Sequence, residues 1–292
     1  MNGILNVYKE PGFTSFDVVA KLRGILKQKK IGHTGTLDPA AQGVLPVCLG
    51  KATKLCELIT DGYKTYEAVM LLGTVTDTLD MEGTVLERHD VTCSMDEVTK
   101  AVMSFIGKIE QVPPMYSALK VNGQRLYELA RQGVTVERKK RSIEIYNIDI
   151  ISIELPRVTF SVTCSKGTYI RTLCDDIGRK LGCGACMESL KRTASGRFKI
   201  EDAYKLSEIQ NLVNAGKLDE ILIGMDDVFA ELPLYKAQEY EDKVLHNGNR
   251  LRLKAGFAPG TRLRVYDSKD CFIGIYEFEA DNILKPIKIL YE

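Results

Sequence analysis

The pattern of apolar and polar positions in the first part of the chain predicts strands separated by an amphipathic helix. Residues 4–8 form a short apolar segment, and the uninterrupted apolar run at 44–49 has the length of a buried strand. Between them, Thr14 or Ser15 can cap a helix. Its apolar residues recur on one helical face: Val18, Leu22, Ile25 and Leu26. The chain therefore begins with a strand, a helix and a second strand.

The same periodicities continue through the middle of the chain. Residues 65–72 read as a strand, and the capping box Ser94–Glu97 begins an amphipathic helix. Residues 143–155 and 157–164 predict a hairpin that turns near Pro156. A glycine turn then leads into a helix whose core-facing residues are Ile170, Leu173, Ile177 and Leu181.

The last 60 residues have a different pattern. Alternating apolar positions predict short strands at 250–253, 261–266 and 271–279, which suggest a small β-barrel or sandwich. We place a boundary near Leu232–Pro233. This divides the chain into a domain of residues 1–232 and a smaller one of residues 233–292.

Composition and charge narrow the functional classes. The 292 residues carry 40 basic and 39 acidic side chains, so a nucleic-acid surface must come from local asymmetry. No apolar stretch is long enough to cross a membrane, and no signal peptide is evident, so we expect a soluble cytoplasmic protein. Of eight cysteines only Cys183 and Cys186 are spaced like metal ligands, and the three histidines form no ligand pair. We expect reduced thiols and no metal.

One segment, residues 111–142, breaks the charge balance. Between residues 120 and 142 seven basic residues face two acidic ones, a local net charge of +5 in a chain of +1. A solvated charged surface is the usual reason for such a run. The interleaved tyrosines and the contrast with the rest of the chain favour contact with a nucleic-acid phosphate backbone instead.

The stretch at residues 31–54 carries the candidate chemistry. Its single carboxylate, Asp38, lies among glycines and threonines, and Pro39 biases it toward an extended conformation. An aspartate before proline often only caps a turn. A carboxylate on a stiff loop that leads into the core is also a common position for a working residue.

The sequence of this stretch resembles the catalytic motif of the TruB family of tRNA pseudouridine synthases. The resemblance rests on residues 32–39, Gly-His-Thr-Gly-Thr-Leu-Asp-Pro, followed by Gly-Val-Leu-Pro at 43–46 and Gly-Lys-Ala-Thr-Lys at 50–54. Residues 164–173 and 190–198 resemble two further family motifs. The first motif, at 9–15, departs from the family because its proline is shifted by one place. We interpret that motif as scaffold beneath the Asp38 loop.

The resemblance implies a fold and a reaction. The fold would be α+β, a pseudouridine synthase fold with a central antiparallel sheet and an active-site cleft. A C-terminal domain of the PUA type and a basic RNA-gripping insertion at 111–142 would accompany it. The reaction would isomerise the T-loop uridine of tRNA to pseudouridine after flipping the base. It needs no cofactor, because the N-glycosidic bond is broken and the freed base is rejoined through carbon.

The resemblance also implies residue roles. Asp38 would act as nucleophile or as base on the sugar, and Arg171 would pair with it and hold it ionised. His33 would occupy the space that the flipped base vacates, and the base pocket would be formed by Tyr66, Tyr169 and Leu190. Tyr66 and Leu190 are equally typical of plain core positions. The family's RNA-backbone contacts would fall on Lys64, Arg138, Lys139, Lys140, Arg141 and Arg192.

Two other functions fit the same residues. One is an RNA-binding or tRNA-folding protein whose catalytic site is inactive. The intact set of site residues disfavours this function. The other is a synthase for a different RNA, like the guide-RNA-directed relatives that work with partner proteins. No docking extension is evident, so we expect a monomer that binds tRNA without an obligate protein partner.

Overall fold

A computed structural model describes residues 1–121, 123–253 and 256–291 of the protein. Its helices are α1 (Ser15–Leu26), α2 (Cys56–Thr60), α3 (Met95–Met103), α4 (Leu126–Arg131), α5 (Ile170–Leu181), α6 (Leu206–Asn214) and α7 (Glu239–His246). The strands of the first part of the chain are β1 (Gly3–Lys9), β2 (Ile31–His33), β3 (Gln42–Leu49), β4 (Lys64–Leu72), β5 (Thr74–Thr76), β6 (Val85–Arg88), β7 (Gly107–Gln111), β8 (Lys120–Val121) and β9 (Gln124–Arg125). Those that follow are β10 (Arg141–Glu154), β11 (Arg157–Cys164), β12 (Ala185–Ser195), β13 (Phe198–Lys199), β14 (Leu234–Lys236), β15 (Leu251–Arg252), β16 (Arg262–Tyr266), β17 (Phe272–Glu279) and β18 (Ile283–Ile289).

The central element is a large sheet with the strand order β1-β3-β12-β4-β11-β10-β7. Its neighbouring strands are antiparallel except β3 and β12, which run parallel and pair through Lys191 with Gln42 and Arg192 with Gly43. The predicted hairpin is present as β10 and β11. The predicted α+β class with a central, mainly antiparallel sheet is confirmed.

Helices cover the sheet through two apolar clusters. Helices α3 and α5 contribute buried residues such as Val98, Leu173 and Ile177 to a cluster with β4 and β10–β12. Helices α1 and α6 pack through Val18 and Ile209 on β1 and β3. The predicted caps are present, because Thr14 and Ser94 each form a capping box at the start of α1 and α3.

Gly43 explains how β3 and β12 approach each other so closely. Its φ is +108°, a conformation that favours glycine, and an added Cβ would lie 2.2 Å from the backbone oxygen of Arg192. Any side chain at this position would push the two strands apart. This parallel pair matters for the site because β3 follows directly after the Asp38 loop.

A second sheet, with the strand order β14-β16-β17-β18-β15, occupies residues 234–289. Three of its strands coincide with the predicted segments, whereas β14 and β18 were not predicted. The sequence of β18 has no clear alternation of apolar and polar residues and contains Pro286, so its pattern does not predict a strand. Ile275 and Leu290 belong to the apolar cluster that contains Ile4 and Val44, so the second sheet packs on the first part of the chain.

The basic segment leaves the central sheet after β7 and returns at β10. It contains the short hairpin β8–β9 and helix α4, whose buried residues are Leu126 and Leu129. Because β7 and β10 are neighbours in the sheet, the segment forms a protrusion from one sheet edge. That protrusion borders the cleft described next.

Candidate active site

Four stretches of the chain enclose a cleft of about 1080 Å³. They are the first turn of α1 with the residue before it, the loop at 33–39, the turn at 78–82, and the basic protrusion at 116–131. Asp38 and Arg171 both line this cleft. A cleft around Asp38 was predicted from the sequence. The observed cleft brings together segments that are far apart along the chain.

The Asp38 loop is held in place from below. The Leu37 N–H donates to Ser15 Oγ at 2.9 Å, and Ser15 Oγ donates back to the Leu37 carbonyl at 3.2 Å. Lys9 is fully buried, and its ammonium donates to the carbonyls of Pro39 at 3.0 Å and Ala41 at 2.5 Å. Burial lowers the pKa of Lys9 to about 8. Residues 9–15 therefore support the loop, as the sequence predicted.

Arg171 lies in the first turn of α5, and its side chain is only 6% exposed. One guanidinium nitrogen, Nη2, lies 3.0 Å from Asp38 Oδ2 and donates to the Tyr116 carbonyl at 2.8 Å. The other, Nη1, lies 3.4 Å from Asp80 Oδ2 and 3.3 Å from the Thr78 carbonyl. The predicted ion pair with Asp38 is present. The guanidinium group therefore contacts two carboxylates, Asp38 and Asp80, and does not form a bidentate contact with either one.

Asp80 is a site residue that sequence reasoning missed. Its side chain is 13% exposed, and its Oδ1 accepts from Thr78 Oγ1 at 2.6 Å and from the Glu82 N–H at 3.1 Å. These bonds leave Oδ2 directed at Arg171. Asp80 lies within residues 73–83, Gly-Thr-Val-Thr-Asp-Thr-Leu-Asp-Met-Glu-Gly. The density of threonine and aspartate in this segment was the available signal.

The surroundings of Asp38 act on its charge in opposite directions. Burial raises the pKa of the Asp38 carboxyl above its usual range, the nearby charge of Asp80 raises it further, and the cations of Arg171 and Lys9 lower it. The net shift is upward. The Asp38 side chain remains 37% exposed, and the ion pair with Arg171 opposes the rise in its pKa by favouring the ionised form.

His33 lines the cleft at the end of β2. Burial and the positive charge of Arg192 lower the pKa of its imidazole. The ring is therefore uncharged at neutral pH. A flat neutral ring in a half-buried position beside the cleft is suited to filling the space of a displaced base.

Tyr66 and Leu190 lie behind the cleft and do not line it. Each is 8% exposed, and both belong to the apolar cluster that also contains Leu37. Leu37 does line the cleft, so it connects the cleft to these two residues. Tyr169 is half-buried and precedes α5, where its backbone exchanges hydrogen bonds with the Gln111 side chain at 2.8 and 3.0 Å.

The structure corrects two of the predicted RNA-backbone contacts. Arg192 is 1% exposed, and its guanidinium donates to the carbonyls of Val44 at 2.7 Å and Gly35 at 3.1 Å. Lys64 is 5% exposed, and its ammonium donates to two carbonyls at the end of α2. Both cations are satisfied in the interior, out of reach of a phosphate. Arg192 ties the Asp38 loop to β3.

The basic protrusion presents charge to the cleft and to solvent. Lys120, Arg125 and Arg131 line the cleft. The guanidinium carbons of Arg125 and Arg131 lie 5.8 and 5.5 Å from the ring centroid of Tyr127. Three of the predicted RNA-backbone contacts at residues 138–141 are exposed: Lys139, Lys140 and Arg141. Arg138 is half-buried and donates to the Pro113 carbonyl at 3.0 Å.

Within residues 1–121, 123–253 and 256–291, no group of three or more His, Cys, Asp or Glu is arranged to hold a metal ion. The cysteines in this part of the chain, including Cys183 and Cys186, are free thiols. No helix among the described residues is long and apolar enough to cross a membrane.

Comparison with known proteins gives consistent matches over the whole chain. Residues 23–170 match the family model "TruB family pseudouridylate synthase (N terminal domain)", and residues 171–230 match "tRNA pseudouridylate synthase B C-terminal domain". A tRNA pseudouridine synthase B from Lachnoclostridium phytofermentans is 53% identical over 306 aligned positions, which cover 99% of each chain. One from Clostridium acetobutylicum is 47% identical and covers 99% of this chain and 100% of the relative.

Solved structures of similar fold come from ribonucleoprotein complexes. A chain of a Cbf5-Nop10-Gar1 complex superposes with a TM-score of 0.77 at 28% identity, over 99% of this chain and 84% of that one. A chain of an H/ACA RNP bound to a substrate RNA that contains 2'-deoxyuridine gives a TM-score of 0.76 at 26% identity, over 99% and 85%. By sequence and by fold, this chain belongs to the TruB family of pseudouridylate synthases, which convert uridine to pseudouridine.

Proposed function

We propose that this enzyme isomerises the T-loop uridine of tRNA, position 55, to pseudouridine. The observation that carries the proposal is the Asp38–Arg171 ion pair of 3.0 Å at a cleft large enough for a nucleotide. The names of its relatives, tRNA pseudouridine synthase B at 53% and 47% identity, support tRNA as the substrate.

Asp38 is the proposed catalytic residue. Its carboxylate attacks the sugar or removes a proton from it, and the glycosidic bond to the base nitrogen then breaks. The freed uracil rotates within the cleft, and its carbon 5 bonds to the sugar carbon that the ring nitrogen has left. In the same step the ester bond between Asp38 and the sugar breaks if Asp38 is the nucleophile, or the sugar regains its proton from Asp38 if Asp38 is the base. Carbon 5 then releases its proton, and the ring nitrogen takes one up. Arg171 keeps Asp38 ionised and oriented throughout. Enclosure of the base keeps out water that would capture the reactive sugar.

The uridine must leave its stack to reach Asp38, at a cost of a few kcal/mol. We propose that His33 fills the vacated space, and that the flipped base approaches Tyr66 and Leu190 from the Leu37 side of the cleft. Tyr169 lies against the edge of the base. Stacking on Tyr66 would offset part of the cost, since an aromatic face binds a base without hydrogen-bond matching.

We further propose a division of labour along the chain. Residues 1–232 carry catalysis, and the second sheet, within residues 233–292, forms a PUA-type RNA-binding domain. The protrusion at 111–142 grips the RNA backbone through its exposed cations. The enzyme acts in the cytoplasm on bare tRNA as a monomer, which sedimentation of the active protein tests.

A direct test uses the purified chain and an unmodified tRNA transcript without added cofactor. Carbodiimide-based sequencing should map pseudouridine at the T-loop uridine with wild-type protein and with the exposed control Asp219→Asn. Asp38→Asn should abolish the mark while RNA affinity stays within about twofold, because the carboxylate serves the chemistry. Turnover by Asp38→Asn would refute the catalytic assignment. A mark that requires an added guide RNA and partner proteins would favour the other-RNA function.

A further inference from the structure

Phe16 has an unusual position for an apolar side chain. It is 64% exposed and lies in the first turn of α1, directly at the cleft that holds Asp38. Single exposed apolar residues are normal on protein surfaces. Other large exposed hydrophobics, such as Tyr240 at 76% and Ile151 at 57%, do not line this cleft.

The backbone that carries Phe16 is fixed relative to the catalytic loop. The preceding residue, Ser15, is buried and exchanges two hydrogen bonds with Leu37, the neighbour of Asp38. On the other side, the capping box between Thr14 and Asp17 holds the first turn of the helix. The Phe16 ring is therefore attached to a frame whose position is set by the same contacts that set the Asp38 loop.

A cation accompanies the exposed ring. The guanidinium carbon of Arg23 lies 5.7 Å from the Phe16 ring centroid, within the range of a cation–π contact. Arg23 is itself held, because its Nε donates to the Lys29 carbonyl at 3.1 Å. An aromatic face with an adjacent fixed cation presents the two features that a nucleotide needs, a stacking surface and a charge for its phosphate.

The protrusion side of the cleft has the same chemistry. Lys120, Arg125 and Arg131 supply positive charge there, and the guanidinium groups of Arg125 and Arg131 both lie near the Tyr127 ring. Exposed aromatic rings combined with cations fit an unpaired nucleic-acid segment. An apolar protein surface would leave these cations without partners.

We propose that Phe16 stacks on a second unpaired base of the substrate RNA, a neighbour of the uridine that enters the cleft. This inference rests on the proposed function, because it assigns a subsite beside the same reacting nucleotide. Phe16 touches no reacting atom in this scheme. It is a positioning residue that sets where the RNA loop lies on the rim, so its contribution belongs to binding of the RNA.

The test uses a T-arm stem-loop in which 2-aminopurine replaces, one at a time, each base that flanks the target uridine. Stacking quenches 2-aminopurine, so one position should be quenched by wild-type protein and should regain fluorescence with Phe16→Ala. The same variant should raise KM about tenfold, equivalent to about 1.4 kcal/mol, with kcat within twofold. Phe16→Tyr should restore both readouts, and the exposed control Ile151→Ala, which lies outside the cleft and outside residues 233–292, should change neither.

The outcomes separate this proposal from the proposed function. An unchanged KM, or the same fluorescence at every position for Phe16→Ala and wild type, would overturn the stacking role and leave Phe16 to a protein contact or to plain exposure. A fall in kcat at unchanged KM would also overturn it. Phe16-dependent quenching without any pseudouridine would support the RNA subsite while refuting the proposed function.

Discussion

The arrangement of charges around Asp38 predicts that two substitutions shift its pKa in opposite directions. Arg171→Met removes the cation 3.0 Å from the Asp38 carboxylate and leaves it beside Asp80. Asp80→Asn removes the negative neighbour and leaves the cation. Both proposed mechanisms require ionised Asp38, so the rate rises with pH through its pKa and then levels off.

The expected magnitudes follow from the distances. An opposite charge within about 4–6 Å changes a carboxyl pKa by about 1–3 units, so Arg171→Met should move the acid limb of the rate profile up by about that amount. Asp80 acts less strongly on the pKa of Asp38 than Arg171 does, so Asp80→Asn should move the limb down by less than about 1 unit.

Arg171→Lys separates charge from geometry. The variant keeps a cation, so the acid limb should stay near its wild-type position. A lysine cannot reproduce the four contacts of the guanidinium to Asp38, Asp80 and two backbone carbonyls. Loss of one buried hydrogen bond to a charged group, worth about 1.5–3 kcal/mol, should lower the plateau rate about 10- to 100-fold.

The assay is single-turnover release of tritium from uracil carbon 5, measured between pH 5 and 9. Arg179→Met is the matched control, because Arg179 lies on the same helix with a side chain that is 71% exposed. Acid limbs that coincide in all variants, or that move in the same direction for Arg171→Met and Asp80→Asn, would refute this electrostatic account of the site.

Three further outcomes can be checked. Arg192→Met removes the guanidinium donor to the carbonyls of buried Val44 and half-buried Gly35, so urea denaturation should show a free energy of unfolding lower by about 2–4 kcal/mol. An unchanged value would exclude the loop-anchoring role. The pKa of buried Lys9 is lowered to about 8, so the folded state loses this proton before the unfolded state does, and this group contributes increasing stability between pH 8 and 10. Over this range the change in the free energy of unfolding should be less positive by about 2 kcal/mol in Lys9→Met than in wild type, and equal changes in both proteins would contradict the shift. Substitution of the exposed Lys139 and Lys140 by glutamate should reduce the slope of log affinity against log salt concentration by about 1.5. An unchanged slope would indicate that these basic residues form a solvated surface without RNA contact.

The sequence predicted the elements whose signals are local. The helix after Thr14, the helix after Ser94 and the hairpin around Pro156 were all found, because caps, periodicity and turn residues act within a few positions. The pairing of Asp38 with Arg171 came from resemblance to a family. No period or spacing within this chain indicates that two residues so far apart in sequence lie 3.0 Å apart.

The misses have a common physical cause. The family resemblance assigned Arg192 and Lys64 to the RNA backbone, and charged residues are in general seldom fully buried. Their burial depends on backbone carbonyls that only the completed sheet and the end of α2 bring within reach. Asp80 was missed for the same reason, since its partner Arg171 lies on a distant helix. The groups that bind a buried charge come from distant parts of the chain, so the local sequence gives little indication of them.

The position of Arg171 has a consequence for how activity appears during folding. Its guanidinium joins Asp38, the turn at 78–80 and the protrusion at Tyr116, three segments that are separated in sequence and meet only when the sheet is closed. Closure of such long loops costs chain entropy before any contact compensates for it. A nascent or partly unfolded chain therefore has no aligned carboxylate, even where its exposed cations already attract RNA. Alignment of Asp38 is therefore coupled to completion of the fold.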